Sequence, residues 1–88
     1  MVKSMRTFED LKKDLDRLVE ARRRAMINKL DRDVYLEMEM AFVKNWKNFY
    51  ILHFKHLSHR ELKNKFGVGV ALLLFHLDPD SYERIYDK

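Results

Sequence analysis

Residues 57–78 read LSHRELKNKFGVGVALLLFHLD. Ser58-His59-Arg60-Glu61 has the form of a capping box, in which the serine hydroxyl accepts from the Glu61 amide and the Glu61 carboxylate accepts from the Ser58 amide. This predicts a short helix over about residues 59–66, ended by Gly67 in the left-handed conformation that glycine adopts most cheaply. Val70 to Leu77 is then an almost wholly apolar helix. Asp78-Pro79 stops it and starts another, with Asp78 as N-cap and Pro79 at the first helical position. Tyr82, Ile85 and Tyr86 supply apolar surface to dock that last piece. With only 2 glycines and 1 proline, the chain also has too few turn residues for a strand-rich small domain.

The upstream half is helical by periodicity. Thr7 is a plausible N-cap with Glu9 and Asp10 in the first turn, where the helix dipole favours acids. Phe8, Leu11, Leu15, Leu18, Met26 and Leu30 then recur at three- and four-residue steps, with one charged slot at Arg22. Asp31 and Asp33 read as a break and a new N-cap. A second helix follows over about residues 34–57, with Tyr35, Met38, Phe42, Trp46 and Phe49 on one stripe and Leu36, Met40, Val43, Tyr50, Phe54 and Leu57 on another. A helix apolar on two stripes is packed on both sides, so it is expected to be the spine of the domain. The expectation is an all-α fold of four to five helices, with an N-terminal helical hairpin and a second half built on residues 57–77.

The 88 residues bound this to a single domain, 1–88, with 47% hydrophobic residues and only 2 glycines and 1 proline. That apolar content exceeds what one small core needs, and a homodimer is the expected consequence. The chain lacks cysteine, which excludes disulfides and thiolate zinc sites. No apolar run is long enough to span a bilayer, and the N-terminus has no signal-peptide core, so a cytoplasmic protein without a membrane partner is expected. Glutamine is absent too, a bias that points toward a thermophile or its virus.

The formal net charge is +4. It is unevenly placed. Residues 17–32 hold six basic residues (Arg17, Arg22, Arg23, Arg24, Lys29, Arg32) against Glu20 and Asp31. Residues 33–40 are net −3, and residues 41–65 hold Lys44, Lys47, Lys55, Arg60, Lys63 and Lys65 against Glu61. Two basic blocks flanking an acidic patch suit phosphate contact, which positions a protein on nucleic acid without reading sequence. The candidate contacts are Arg22, Arg23, Arg24, Lys44, Lys47, Lys55, Arg60, Lys63 and Lys65. The alternative for each block is a solvated helix face.

Leu57-Ser58, Arg60-Glu61-Leu62, Phe66-Gly67-Val68, Ala71, Leu73 and Leu77 together resemble a helix-turn-helix unit. With the preceding NFYILHFKHL, they resemble the C-terminal promoter-reading region of bacterial sigma factors and related phage regulators. The resemblance covers a third to a half of the chain. It implies that Leu62 and Phe66 face the core, Val68 plugs the corner, and Leu73 and Leu77 pin the second helix. Two departures stand out. Lys63 occupies a position where the motif has a small residue. The groove-facing positions of the second helix would be Gly69, Val70, Leu72, Leu74 and Phe75, which offer no hydrogen-bonding group to a base edge. Val70, Leu72, Leu74 and Phe75 are therefore expected either to pack within the chain or to form a dimer or partner interface.

Other chemistry is thinly represented. His53, His56 and His59 fall at three-residue steps, but a helix boundary between them argues for surface histidines over a metal site. Trp46, Phe49, Tyr50 and Phe54 have core spacing before they have base-stacking spacing. There is no phosphate loop and no paired nucleophile and base, so neither an enzyme nor a cofactor or metal is expected. Two functions remain: a small regulator of transcription or another DNA transaction that binds double-stranded DNA as a dimer, and a helical adaptor that binds another protein and no nucleic acid.

Overall fold

The computed structural model describes residues 7–86. They form five α-helices: α1 (Phe8–Ile27), α2 (Leu30–His53), α3 (His59–Phe66), α4 (Val70–Leu77) and α5 (Pro79–Tyr86), with a 3-10 turn at Gly67–Gly69 between α3 and α4. Among the described residues there is no strand. α1 and α2 make the expected antiparallel hairpin, and the short helices pack against its base.

The boundaries follow local chemistry. Thr7 Oγ1 accepts from the Asp10 amide and Asp10 returns the bond to the Thr7 amide, both at 3.3 Å. Ser58 and Glu61 close the second box, at 3.2 and 2.9 Å. Asp78 Oδ1 accepts from the Ser81 amide and its Oδ2 from the Ser81 hydroxyl, which starts α5 as the sequence predicts. The hairpin turn differs from expectation. It lies at Asn28-Lys29, where Asn28 Oδ1 accepts from the Leu30 amide at 2.9 Å. α2 therefore begins at Leu30, and Asp31 and Asp33 occupy its first turn as dipole partners. At its other end α2 stops at His53, four residues before Leu57, because the backbone leaves helical geometry at Phe54.

The core is one cluster of Leu11, Leu15 and Leu18 from α1, Phe42, Trp46 and Tyr50 from α2, Phe54, Leu62 and Phe66, and Val70, Leu73, Leu74 and Leu77 from α4. The two-stripe reading of α2 holds in this lower half, where α1 covers one side and α4 the other. It fails above. Leu36 and Met40, which share the second of those stripes by spacing, are exposed, and so are Met26 and Leu30 of the first-helix stripe. The reason is length: α4 has 8 residues, and α1 and α2 have 20 and 24. A short helix laid across a long hairpin covers one end of it.

Gly69 sits where α1 crosses. A Cβ placed on it would meet Leu15 Cδ2 at 3.0 Å. It is thus a contact with α1, and not the groove-facing position of a recognition helix. Gly67 has φ +65° with ψ −142°, so it takes the positive φ expected of it but in an extended region that only glycine occupies readily, outside the left-handed helical one. Val68, expected to plug the corner between α3 and α4, is 94% exposed.

Candidate functional site

α4 divides its side chains between two roles. Val70 and Leu74, expected as candidate interface residues, are 3% and 0% exposed and belong to this chain's own core. That corrects their placement, since no partner can reach them. Leu72 and Phe75 point the other way. With Val68 and Ala71 they line one wall of a groove of about 720 Å³. Val19, Arg22, Arg23 and Met26 of α1 line the opposite side, Tyr35 and Glu39 of α2 contribute to it, and Tyr82 of α5 reaches its edge. The groove exists because α4 stops short and leaves the hairpin bare beyond it.

The groove has a polar lining beneath its apolar rim. Glu39 Oε2 lies 3.1 Å from His76 Nε2. The pair is out of hydrogen-bonding alignment, so the buried nitrogen has no hydrogen-bond partner and the contact is one of proximity. Burial pushes the His76 pKa down, against the pull of Glu39, and Arg22 adds to the lowering. The Tyr35 hydroxyl faces both Glu39 and Arg22, and burial together with the Glu39 carboxylate pushes its pKa up to about 12. Arg22, the one charged slot in the α1 stripe, is explained by this arrangement. Its guanidinium serves a Tyr35–Glu39–His76 cluster drawn from α2 and α4. Spacing alone flags Arg22 as an anomaly, and its partners become visible only when three helices are assembled.

The basic residues separate into two kinds. On α1, Arg17 pairs with Asp14 at 3.9 Å, and Arg23 and Arg24 share Glu20 at 3.5 and 3.4 Å. Arg22 and Arg23 line the groove described above, and Arg24 lies against Glu20, Asp31 and Val34 on another face of the hairpin. The second block differs. Lys44, Lys47, Lys55, Arg60, Lys63 and Lys65 are all exposed, and none takes part in an ion pair within 4.0 Å among the described residues. Lys65 instead lies 5.4 Å from the centre of the Phe8 ring.

The remaining candidates do not converge. His53 packs at a tilt against Phe49 with ring centroids 4.6 Å apart, His59 Nε2 meets the Tyr86 hydroxyl at 2.7 Å, and no three metal-ligating side chains come together among the described residues. Phe49, Tyr50 and Phe54 pack against one another within the lower core. Trp46 donates from Nε1 to Asp14 Oδ2 at 2.7 Å, a tie between α1 and α2 that periodicity does not reveal. No helix among the described residues is long and apolar enough to cross a membrane. No family model matches the chain, and no curated protein or solved structure matches it either.

Proposed function

We propose that this chain is a helical interaction module that pairs with a second copy of itself through the groove beside α4. The observation that carries the reading is the fate of α4. Half of its residues are locked in the core, and Phe75, 50% exposed, stands on the groove wall beside Leu72. A second copy suits the groove because its two edges differ in charge. Arg22 and Arg23 lie along the α1 edge, while exposed Asp80 and Glu83 lie on α5 beside Tyr82. A two-fold axis running along the groove sets each basic edge against the partner's acidic edge and covers both Phe75 rings. Light scattering at micromolar concentration is the test. A dimer is expected for the native chain and a monomer for Phe75→Glu. A native monomer refutes the reading.

A second reading rests on the unpaired block. Six exposed cations from Lys44 to Lys65, with no ion pair within 4.0 Å among the described residues, suit contact with double-stranded DNA phosphates, in keeping with a dimeric regulator of transcription or another DNA transaction. In this reading α4 does no base readout, because it has no free polar face. A titration against duplex DNA at low and high salt decides it. Binding that weakens steeply with salt and falls in Lys44→Glu/Lys47→Glu supports phosphate contact. Absence of binding at low salt leaves the self-pairing module alone.

A further inference from the structure

At the foot of the hairpin the start of α1, the end of α2 and the end of α3 surround an open cavity of about 540 Å³. Five rings line it: Phe8, Phe49, His53, Phe54 and His56. Buried Phe54 is the floor, Phe8 and Phe49 are half-buried walls, and both imidazoles are exposed. The rings support one another, with centroids 6.0 Å apart for Phe8 and Phe54, 5.8 Å for Phe49 and Phe54, and 4.6 Å for Phe49 and His53. The turn after α2 fixes the imidazoles in place. The Phe54 and Lys55 amides both donate to Tyr50 O, at 2.8 and 3.0 Å, and the Leu57 amide donates to Phe54 O at 3.0 Å. That turn also holds exposed Lys55 between Phe54 and His56 of the lining. Lys65 lines the cavity from α3, its Nζ 5.4 Å from the centre of the Phe8 ring. Among the described residues no carboxylate is in the lining. Two of the acids near it in sequence are engaged in capping, Asp10 with Thr7 and Glu61 with Ser58, and Glu9 is exposed on α1 outside the cavity.

We infer that this cavity takes an unpaired nucleotide of a single-stranded nucleic acid, its base against the rings and its flanking phosphates on Lys55 and Lys65. The inference rests on the phosphate-contact reading of the second basic block and names the strand that block holds. Each part of the cavity fits that occupant. Its volume lies within the range of about 300–1,000 Å³ in which small-ligand sites fall. A lining in which five of eight side chains are flat rings selects a flat aromatic ligand, and bases stack on phenylalanine and histidine alike. Cations without a carboxylate among them select an anion, and the exposed imidazoles can donate hydrogen bonds to a phosphate. Rival occupants use less of it. Duplex DNA keeps its bases inside the stack and offers the cavity phosphates only. An acidic peptide answers Lys65 but fills the rings only where it carries an aromatic side chain. A metal ion finds two imidazoles and no third ligand.

The test is fluorescence anisotropy of the full chain at low salt with three labelled probes: a thymidine single strand, an abasic strand of the same length and charge, and a duplex. The native chain is expected to bind the thymidine strand at least about fivefold more tightly than either of the others, the gain from stacking one base. His53→Ala/His56→Ala alters only exposed side chains, and circular dichroism checks that it stays folded. It is expected to lose that preference while its duplex binding stays unchanged. No binding of any probe at low salt overturns the nucleic-acid reading and the inference with it. Equal binding of the thymidine and abasic strands, or a duplex bound as tightly as the single strand, overturns the inference and leaves phosphate contact standing. A histidine variant that keeps the native preference removes the cavity as the site. A glutamate–tyrosine copolymer that binds more tightly than the thymidine strand also overturns the inference and gives the cavity to an acidic protein.

Discussion

Adjacent residues on α4 give the sharpest test of its division of labour. Leu74 is 0% exposed and Phe75 is 50% exposed. Leu74→Ala removes a fully enclosed side chain and leaves a cavity, at a cost of about 2–5 kcal/mol. A chain of this size has a total stability of about 4–13 kcal/mol, so the loss is a large share. At about 4–8 °C per kcal/mol the melting temperature falls by at least about 8 °C. Phe75→Ala gives up only a half-covered ring, whose neighbour Tyr82 lies 5.1 Å away centroid to centroid. Its intrinsic cost is about 1–2 kcal/mol, roughly half the core value. The two differ further in their dependence on concentration. If the dimer covers Phe75, the native chain melts higher as protein concentration rises, because association stabilises the folded state by mass action. Thermal unfolding followed by circular dichroism at two concentrations about twentyfold apart reads both effects. Leu74→Ala is expected to melt lowest yet keep a concentration dependence, whereas Phe75→Ala falls by about half as much and loses it. Equal costs for the two substitutions would refute the division of α4. A Phe75→Ala protein that keeps the full concentration dependence would refute the groove as the dimer contact.

Three further outcomes are expected. Gly69→Ala overpacks against Leu15 at 3.0 Å, a cost of about 1–3 kcal/mol that Leu15→Ala in the same chain should partly relieve, whereas Gly67→Ala has open space and costs about 1–3 kcal/mol through its positive φ, with no relief from Leu15→Ala. Denaturant titrations of the double variants distinguish them. Tyr50, whose pKa is pushed up to about 12 by burial and by Asp78, donates to that nearly buried carboxylate, so Tyr50→Phe should cost about 1–3 kcal/mol in urea unfolding; a neutral result would mean that Ser81 alone satisfies Asp78. His76 has a lowered folded pKa, so between that value and the ordinary one near 6.5 the unfolded chain binds the extra proton. Stability should therefore be full above about pH 7 and fall on acidification through the ordinary histidine range until the folded pKa is reached. His76→Gln should flatten that slope in unfolding titrations across about pH 5–8, and an unchanged slope would place its origin elsewhere.

Much of this fold is written in local chemistry. The two capping boxes, the Asp78-Pro79 restart and the positive φ of Gly67 each depend on residues within three or four positions of one another, so the sequence determines them without knowledge of what lies across the core. The all-α class and the hairpin follow from periodicity for the same reason. Asn28 shows the margin of error, because an Asn side chain closing its own turn competed with two equally plausible aspartates downstream. Tertiary structure alone decided the rest. Periodicity says that Met26 and Leu30 share a stripe with Leu15 and Leu18, but not that α4 is too short to cover them. It says that Arg22 interrupts that stripe, but not that Tyr35, Glu39 and His76 wait for it. It could not choose which of Val70, Leu72, Leu74 and Phe75 would be covered, because a helix apolar on every side carries no phase of its own. Where α1 crosses Gly69 sets that phase: Val70 and Leu74 fall inward, and Leu72 and Phe75 are left on the wall of the groove.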